Sequence, residues 1–292
     1  MPPARPPGQD RTARVRRVLV GLFFANLAVV VAKLMVGIAT GSLAVLGDAL
    51  HSIIDTLNNV LALIVIRVAA KAPDEDHPYG HGKFETLGAL AIVGFMSITC
   101  FELVRDAIAR LAAGQATPFL SDAQLAVLVG TLGVNVLVAS FETRRARELE
   151  SEILLADAAH TRADVFITVG VLIGLLLARR GLWWADPALA MGIALFIVRI
   201  AYTIFQRAVP VLVDARAIPD TTIQALAETV GGVKRAYGIR SRDAARTRYA
   251  EVTIAVDRNA NVAAAHGIAD QVEDLLKRDL RLHEVTVHIE PC

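Results

Sequence analysis

The sequence predicts a six-helix membrane domain followed by a small α+β domain, and three observations carry that prediction. Of the 292 residues, 54% are hydrophobic and 20% charged, whereas soluble domains lie near 45–50% apolar and roughly a quarter charged. Six apolar stretches approach or exceed the length of about 20 residues that a bilayer-spanning helix needs. From about Asp214 the long apolar runs stop, and residues 214–292 carry 12 acidic and 11 basic side chains. The formal net charge of +1 excludes a dedicated nucleic-acid binder. Cys100 and Cys292 are too far apart in sequence to suggest a disulfide framework or a thiolate zinc cluster. Cys100 reads as a small buried hydrophobe, and the terminal Cys292 as a metal ligand or an idle thiol.

Taken in order, residues 1–17 hold Pro2, Pro3, Pro6, Pro7 and five arginines and read as a short cytoplasmic tail. The apolar run from Val18 to Thr40 is too long for a signal-peptide core and is followed by others, so it reads as a retained span. The predicted spans are 18–40, 43–68, 86–109, 121–141, 153–178 and 186–207, within a transmembrane domain over 18–210. Lys and Arg concentrate in cytoplasmic loops. The tail, the 67–83 loop, the 144–147 run and the 207–216 exit together hold thirteen basic residues, against Arg110, Arg179 and Arg180 on the other side, with Arg105 added if the third helix ends early. This predicts a multi-pass protein of the cell (inner) membrane, embedded in lipid, with both termini cytoplasmic.

Residues 211–292 form the predicted soluble domain. Pro219-Asp220 opens a helical stretch to about Val230. Residues 233–242 and 247–257 read as strands, the second placing Val252, Ile254 and Val256 on one face. An amphipathic helix follows over 260–279, and a last strand over 284–290. The order α-β-β-α-β is that of a small α+β domain.

Ionisable residues inside membrane helices are costly and point to function. The second predicted helix holds Asp48, His51 and Asp55; the fifth holds Asp157, His160 and Asp164. In each trio His and Asp at i, i+4 share a helical face, so two facing helices would offer His51, Asp55, His160 and Asp164 to one ion. Two imidazole nitrogens and two carboxylate oxygens in a tetrahedron suit Zn²⁺; the bland alternative is a set of polar residues tying helices together. Asn26, Asn59 and Asn135 read as interhelical hydrogen-bond partners, and Lys33 as a side chain that snorkels to the interface.

The loop from Pro73 to Lys83 packs three carboxylates and two histidines into eight residues. It is either a second metal site, with Asp74, His77 and His81 as ligands, or a solvated acidic turn. Lys83 could pair with Asp214. In the soluble domain His266, His283, His288 and Glu290 are candidate ligands, and His288 and Glu290 share a strand face.

Three segments together resemble the cation diffusion facilitator family of divalent-metal transporters. They are Gly47-Asp48-Ala49-Leu50-His51-Ser52-Ile53-Ile54-Asp55, the loop core His77-Pro78-Tyr79-Gly80-His81-Gly82-Lys83, and Ala156-Asp157-Ala158-Ala159-His160-Thr161-Arg162-Ala163-Asp164. The likeness runs from about residue 17 to Cys292. It implies a homodimer of six-helix protomers, each with a ferredoxin-like cytoplasmic domain that senses metal. It also implies export of Zn²⁺ or another divalent transition metal in exchange for protons, with no prosthetic group. By position, His51, Asp55, His160 and Asp164 would form the transport site and His51 and His160 would carry the protons. Asp74, His77 and His81 would bind a loop metal, Lys83 and Asp214 would form a dimer-stabilising salt bridge, and His266, His288 and Glu290 would remain of a cytoplasmic site. His51, where some bacterial relatives have Asp, favours zinc over cadmium. Tyr237 and Thr253 stand where a bacterial zinc member has His, which leaves that cytoplasmic site incomplete. The competing expectations are a non-transporting partner or metal sensor on the same fold, an exporter of Fe²⁺, Mn²⁺ or Cd²⁺, and a membrane metallohydrolase. The last needs an open coordination position and is disfavoured by a closed four-ligand site.

Overall fold

The computed structural model describes residues 7–40, 43–114, 122–178, 180–182, 184–244 and 247–292, without the side chains of 7–10, 40, 43–45, 47, 48, 51, 122, 123, 175 and 178. The chain divides into two units, 1–208 and 209–292. The first is built from long helices: α1 (Pro7–Thr40), α2 (Leu43–Ala69), α3 (Lys83–Ala113), α4 (Asp122–Glu148), α5 (Glu152–Ala178) and α6 (Ala185–Leu212). Over their described residues, α1, α2, α3, α4 and α6 are long and apolar enough to cross a membrane. At 27 residues, about 40 Å, α5 has the length as well, and its charges Glu152, Asp157, Arg162 and Asp164 all fall in its first half. It packs against α3 and α4, so those polar groups sit within the bundle.

The outer faces are apolar and exposed, with Leu137 and Leu195 each 73% accessible, as lipid-facing surfaces require. Val15, Leu19, Ile66, Ile92, Ile153 and Leu154 are buried in the main cluster between helices. Close approach depends on small residues: a Cβ on Gly88 of α3 would lie 2.5 Å from Val65 Cγ1 of α2 and 3.0 Å from Ile153 Cδ1 of α5.

Two helices run further than the hydropathy pattern predicts. The α1 helix begins at Pro7 rather than at Val18, because Arg11 finds partners inside the bundle. The α4 helix continues through the charged run to Glu148, where Arg144 and Arg145 each reach the Glu148 carboxylate at 2.8 Å. These i,i+4 and i,i+3 pairs are intrahelical support, so charges that read as loop are helix.

The second unit holds α7 (Asp220–Ala227), β1 (Arg235–Ala244), β2 (Thr247–Val256), α8 (Val262–Leu280) and β3 (Glu284–Pro291). The sheet order is β1-β2-β3; β1 and β2 are antiparallel, and β2 and β3 are parallel, joined through α8. This is the α-β-β-α-β order of the sequence pattern. Val252, Ile254 and Val256 point to the core with Ile223, Val272 and Leu276. The Asn261 side chain caps α8 by accepting from the Ala264 N–H at 2.8 Å, which sets its start.

Candidate metal centre

The centre lies between α2 and α5, at the level where each carries an ionisable residue on its inner face. His160 is 5% exposed. Its Nε2 lies 3.1 Å from Asp55 Oδ1 and 3.8 Å from Asp164 Oδ2, the second contact following from the i,i+4 spacing on α5. Ligand atoms of Asp55, His160 and Asp164 all lie within 4.8 Å of one another. One nitrogen and two carboxylate oxygens that close can hold a divalent cation. The side chain of His51, one turn before Asp55 on α2, lies outside the described residues, as does that of Asp48.

Two polar groups at this centre have no counterpart in the sequence reading. Asn58 Nδ2 stands 3.3 Å from His160 Nε2; its signal was the i,i+3 spacing from Asp55, which puts both on one face of α2. Glu142, fully buried on α4, accepts a hydrogen bond from Thr161 Oγ1 at 2.9 Å. Its Oε1 has no hydrogen-bond partner among the described residues. The hydropathy pattern ends the fourth span at residue 141 and places Glu142 in a loop.

Asp157 is one turn from His160 but is tied elsewhere. It accepts from Asn59 Nδ2 at 2.9 Å, and Asn59 Oδ1 in turn accepts from Asn26 Nδ2 at 2.6 Å. This chain links α1, α2 and α5, the role expected for Asn26 and Asn59. A cavity of about 220 Å³ adjoins the centre, lined among others by Asn26, Lys33, Ser52, Asp55, Asn135 and Asp164. Lys33 does not snorkel: it is 7% exposed, and its Nζ donates to Ser52 Oγ at 2.8 Å.

The α2–α3 loop brings Asp74, His77 and His81 together, again with ligand atoms within 4.8 Å. The turn closes on Gly80, whose φ of +81° is readily open only to glycine, with its N–H donating to His77 O at 2.8 Å. Asp74 Oδ1 accepts from the His77 N–H at 2.8 Å, and Asp74 Oδ2 lies 3.4 Å from His81 Nε2. That backbone N–H, followed by the nearby histidines, holds the Asp74 carboxyl below its ordinary range. His81 is buried, and its Nδ1 has no hydrogen-bond partner among the described residues.

In the second unit the candidate ligands do not converge within one chain. His266 Nε2 lies 3.6 Å from Asp270 Oδ1, and His288 Nε2 lies 3.6 Å from Glu290 Oε1. Among the described residues, no cluster of three ligands includes them. Tyr237 Oη donates to Glu290 Oε2, reaching it across the sheet. Thr253 pairs with both Tyr237 and His288 in register. Lys83 belongs to the first unit and Asp214 to the second, where Asp214 lies 3.7 Å from Arg242.

Residues 19–213 match the family described as "Cation efflux transmembrane domain", and residues 219–292 match "Cation efflux protein, cytoplasmic domain". The manganese efflux system protein MneS of Bacillus subtilis is 31% identical over 269 residues, covering 91% of this chain and 92% of its own. The cation-efflux pump FieF of Cronobacter sakazakii is 31% identical over 283 residues, covering 95% and 92%. A solved variant of the MamM C-terminal domain aligns with 25% of this chain and 91% of its own at 27% identity and a TM-score of 0.24.

Proposed function

This chain belongs to the cation diffusion facilitator family of cation efflux transporters, and on that premise we propose that it exports a divalent metal, Zn²⁺ foremost, from the cytoplasm in exchange for protons. The observation that carries the reading is the convergence of Asp55, His160 and Asp164 inside the helix bundle, with His51 as the fourth ligand. These side chains bind and release the ion. Asn58 faces the His160 nitrogen that takes the ion and yields it when metal arrives, and the Asn26–Asn59–Asp157 chain braces the helices that present the ligands.

Zinc is favoured because two imidazoles beside two carboxylates suit a borderline-soft ion that accepts tetrahedral coordination. A manganese reading has one observation behind it, the name of the relative MneS; manganese prefers oxygen-rich sites. His51 and His160 are the proposed proton carriers: ligands must shed protons to bind metal, and unperturbed histidine titrates near about 6.5. Protons therefore compete with metal on the acidic side. The proposed assembly is a homodimer with both termini cytoplasmic in the inner membrane. Its soluble domains sense metal, and a Lys83–Asp214 salt bridge supports the dimer. The Asp74, His77 and His81 loop is proposed as an accessory metal site.

The test is metal uptake into proteoliposomes with an acidic lumen, comparing Zn²⁺ with Mn²⁺, Fe²⁺ and Cd²⁺, with Asp164→Ala beside wild type. We expect zinc uptake by wild type, abolished in the variant, and an apparent zinc affinity that falls between about pH 7 and 5.5. No uptake of any metal by folded, dimeric protein would assign the chain to the non-transporting sensors instead.

A further inference from the structure

Lys33 is the charge that the proposed transport chemistry leaves unexplained. It sits seven residues before the end of α1, close enough to the membrane boundary for a lysine to reach water. Instead its side chain is buried and its Nζ donates to Ser52 Oγ on α2. Ser52 is itself buried and lies three residues, about 4.5 Å along the helix axis, from Asp55. The ammonium is therefore anchored one turn from a proposed metal ligand. A charge turned inward within a membrane domain faces a costly environment and marks an ion path.

The cavity beside the centre defines that path. Its walls are Lys33 of α1, Ser52 and Asp55 of α2, Asn135 of α4 and Asp164 of α5, and they continue through Thr168 toward the C-terminal half of α5. Two ligands of the centre and the lysine share this one compartment of about 220 Å³. An ion leaving the carboxylates by this route passes the ammonium.

We infer that Lys33 is a fixed counter-charge that weakens the hold of the centre on a divalent cation and so promotes its release into the cavity. The inference rests on the reading of Asp55, His160 and Asp164 as the transport site. A bound M²⁺ and a tethered ammonium repel each other strongly where water is scarce. Once the ion has gone, the same ammonium offsets the negative charge left on Asp55 and Asp164. Carboxylates and imidazoles that capture zinc well would otherwise release it slowly. Lys33 touches no cargo; it acts through the field at the ligands and is a tuning residue rather than a ligand.

The experiment compares wild type with Lys33→Met, Lys33→Arg and Lys33→Gln in the full-length protein, measuring Zn²⁺ affinity by chelator competition and Zn²⁺ turnover in proteoliposomes. Loss of a merely structural lysine would weaken binding. Loss of a counter-charge raises it. We expect Lys33→Met to bind zinc about tenfold or more tightly and to turn over more slowly, with Lys33→Arg close to wild type in both. The Gln variant keeps a donor for Ser52 without the charge, and it is decisive if the Met protein misfolds. Unchanged or weaker affinity in the neutral variant that folds overturns the inference, as does an equal rise in Lys33→Arg. An Asp164→Ala control run alongside separates the two readings: if it binds and transports zinc as wild type does, the transport-site assignment itself has failed.

Discussion

Asn58 shows how a residue that binds no metal can set the hold of the centre on one. Its amide stands 3.3 Å from His160 Nε2, the atom that also faces Asp55 at 3.1 Å, so it occupies the nitrogen that a metal would need. The partner that supports a metal-ligating histidine holds the other ring nitrogen, and Asn58 does not. Asn58→Ala is therefore expected to tighten zinc binding severalfold while leaving the protein folded, measured by competition with a chelating dye; weaker binding would mean that the amide positions the ring instead. The i,i+4 spacing made His160 and Asp164 legible as neighbours, because helical geometry alone puts them on one face. The same rule offered Asp157 equally well, and only packing decides that it turns to Asn59. Lys33 was illegible for a related reason. Whether a lysine near a helix end reaches water or bends inward depends on what the neighbouring helix offers, here Ser52.

At the scale of elements, the starts of α1 and α3 and the C-terminal end of α4 are joined by one arginine. Arg11 donates to Glu85 through both terminal nitrogens at 2.9 and 3.0 Å, and to the carbonyls of Leu149 and Glu150 at 2.7 and 2.9 Å. Glu85 lies in the first turn of α3, and the two carbonyls close the end of α4, where unpaired C=O groups favour a cation. Three helices thus meet at a bidentate pair whose side chains are only 17% and 7% exposed. Removing one partner of a buried pair strands the other. Arg11→Met is expected to destabilise the protein by on the order of 3 kcal/mol, seen as a lower midpoint in thermal unfolding in detergent. The double variant with Glu85→Gln should lose much less than the sum of the single variants, and strict additivity would show the pair to be uncoupled. The apolar runs made the helices legible, and their ends were not. Hydropathy reads Arg11 and the 142–148 charges as lying outside the helices, whereas specific partners extend α1 and α4 through them.

For the molecule as a whole, the question is how metal bound by the second unit would act on the membrane unit. Within one chain His266 and the His288–Glu290 pair stay apart, so a site built from them needs a second copy, and occupancy would then be linked to association. A metal that binds an associated pair of chains better than separate ones shifts the equilibrium toward association by that difference in affinity alone. Tyr237 opposes this. Its hydroxyl donates to Glu290, and that hydrogen bond raises the tyrosine pKa. The proton therefore stays on the phenol through neutral pH, and the group competes with metal for the carboxylate at any physiological acidity. Tyr237→Phe removes the competitor while preserving the ring on β1. The expected result is tighter zinc-dependent approach of the soluble units in full-length protein, severalfold lower in half-saturating Zn²⁺. Energy transfer between labels placed at the C-termini would measure it, with His288→Ala abolishing the response. If the phenylalanine variant responds at the same zinc concentration as wild type, Glu290 is not a ligand, and the weak site must be sought around His266 and His288 alone.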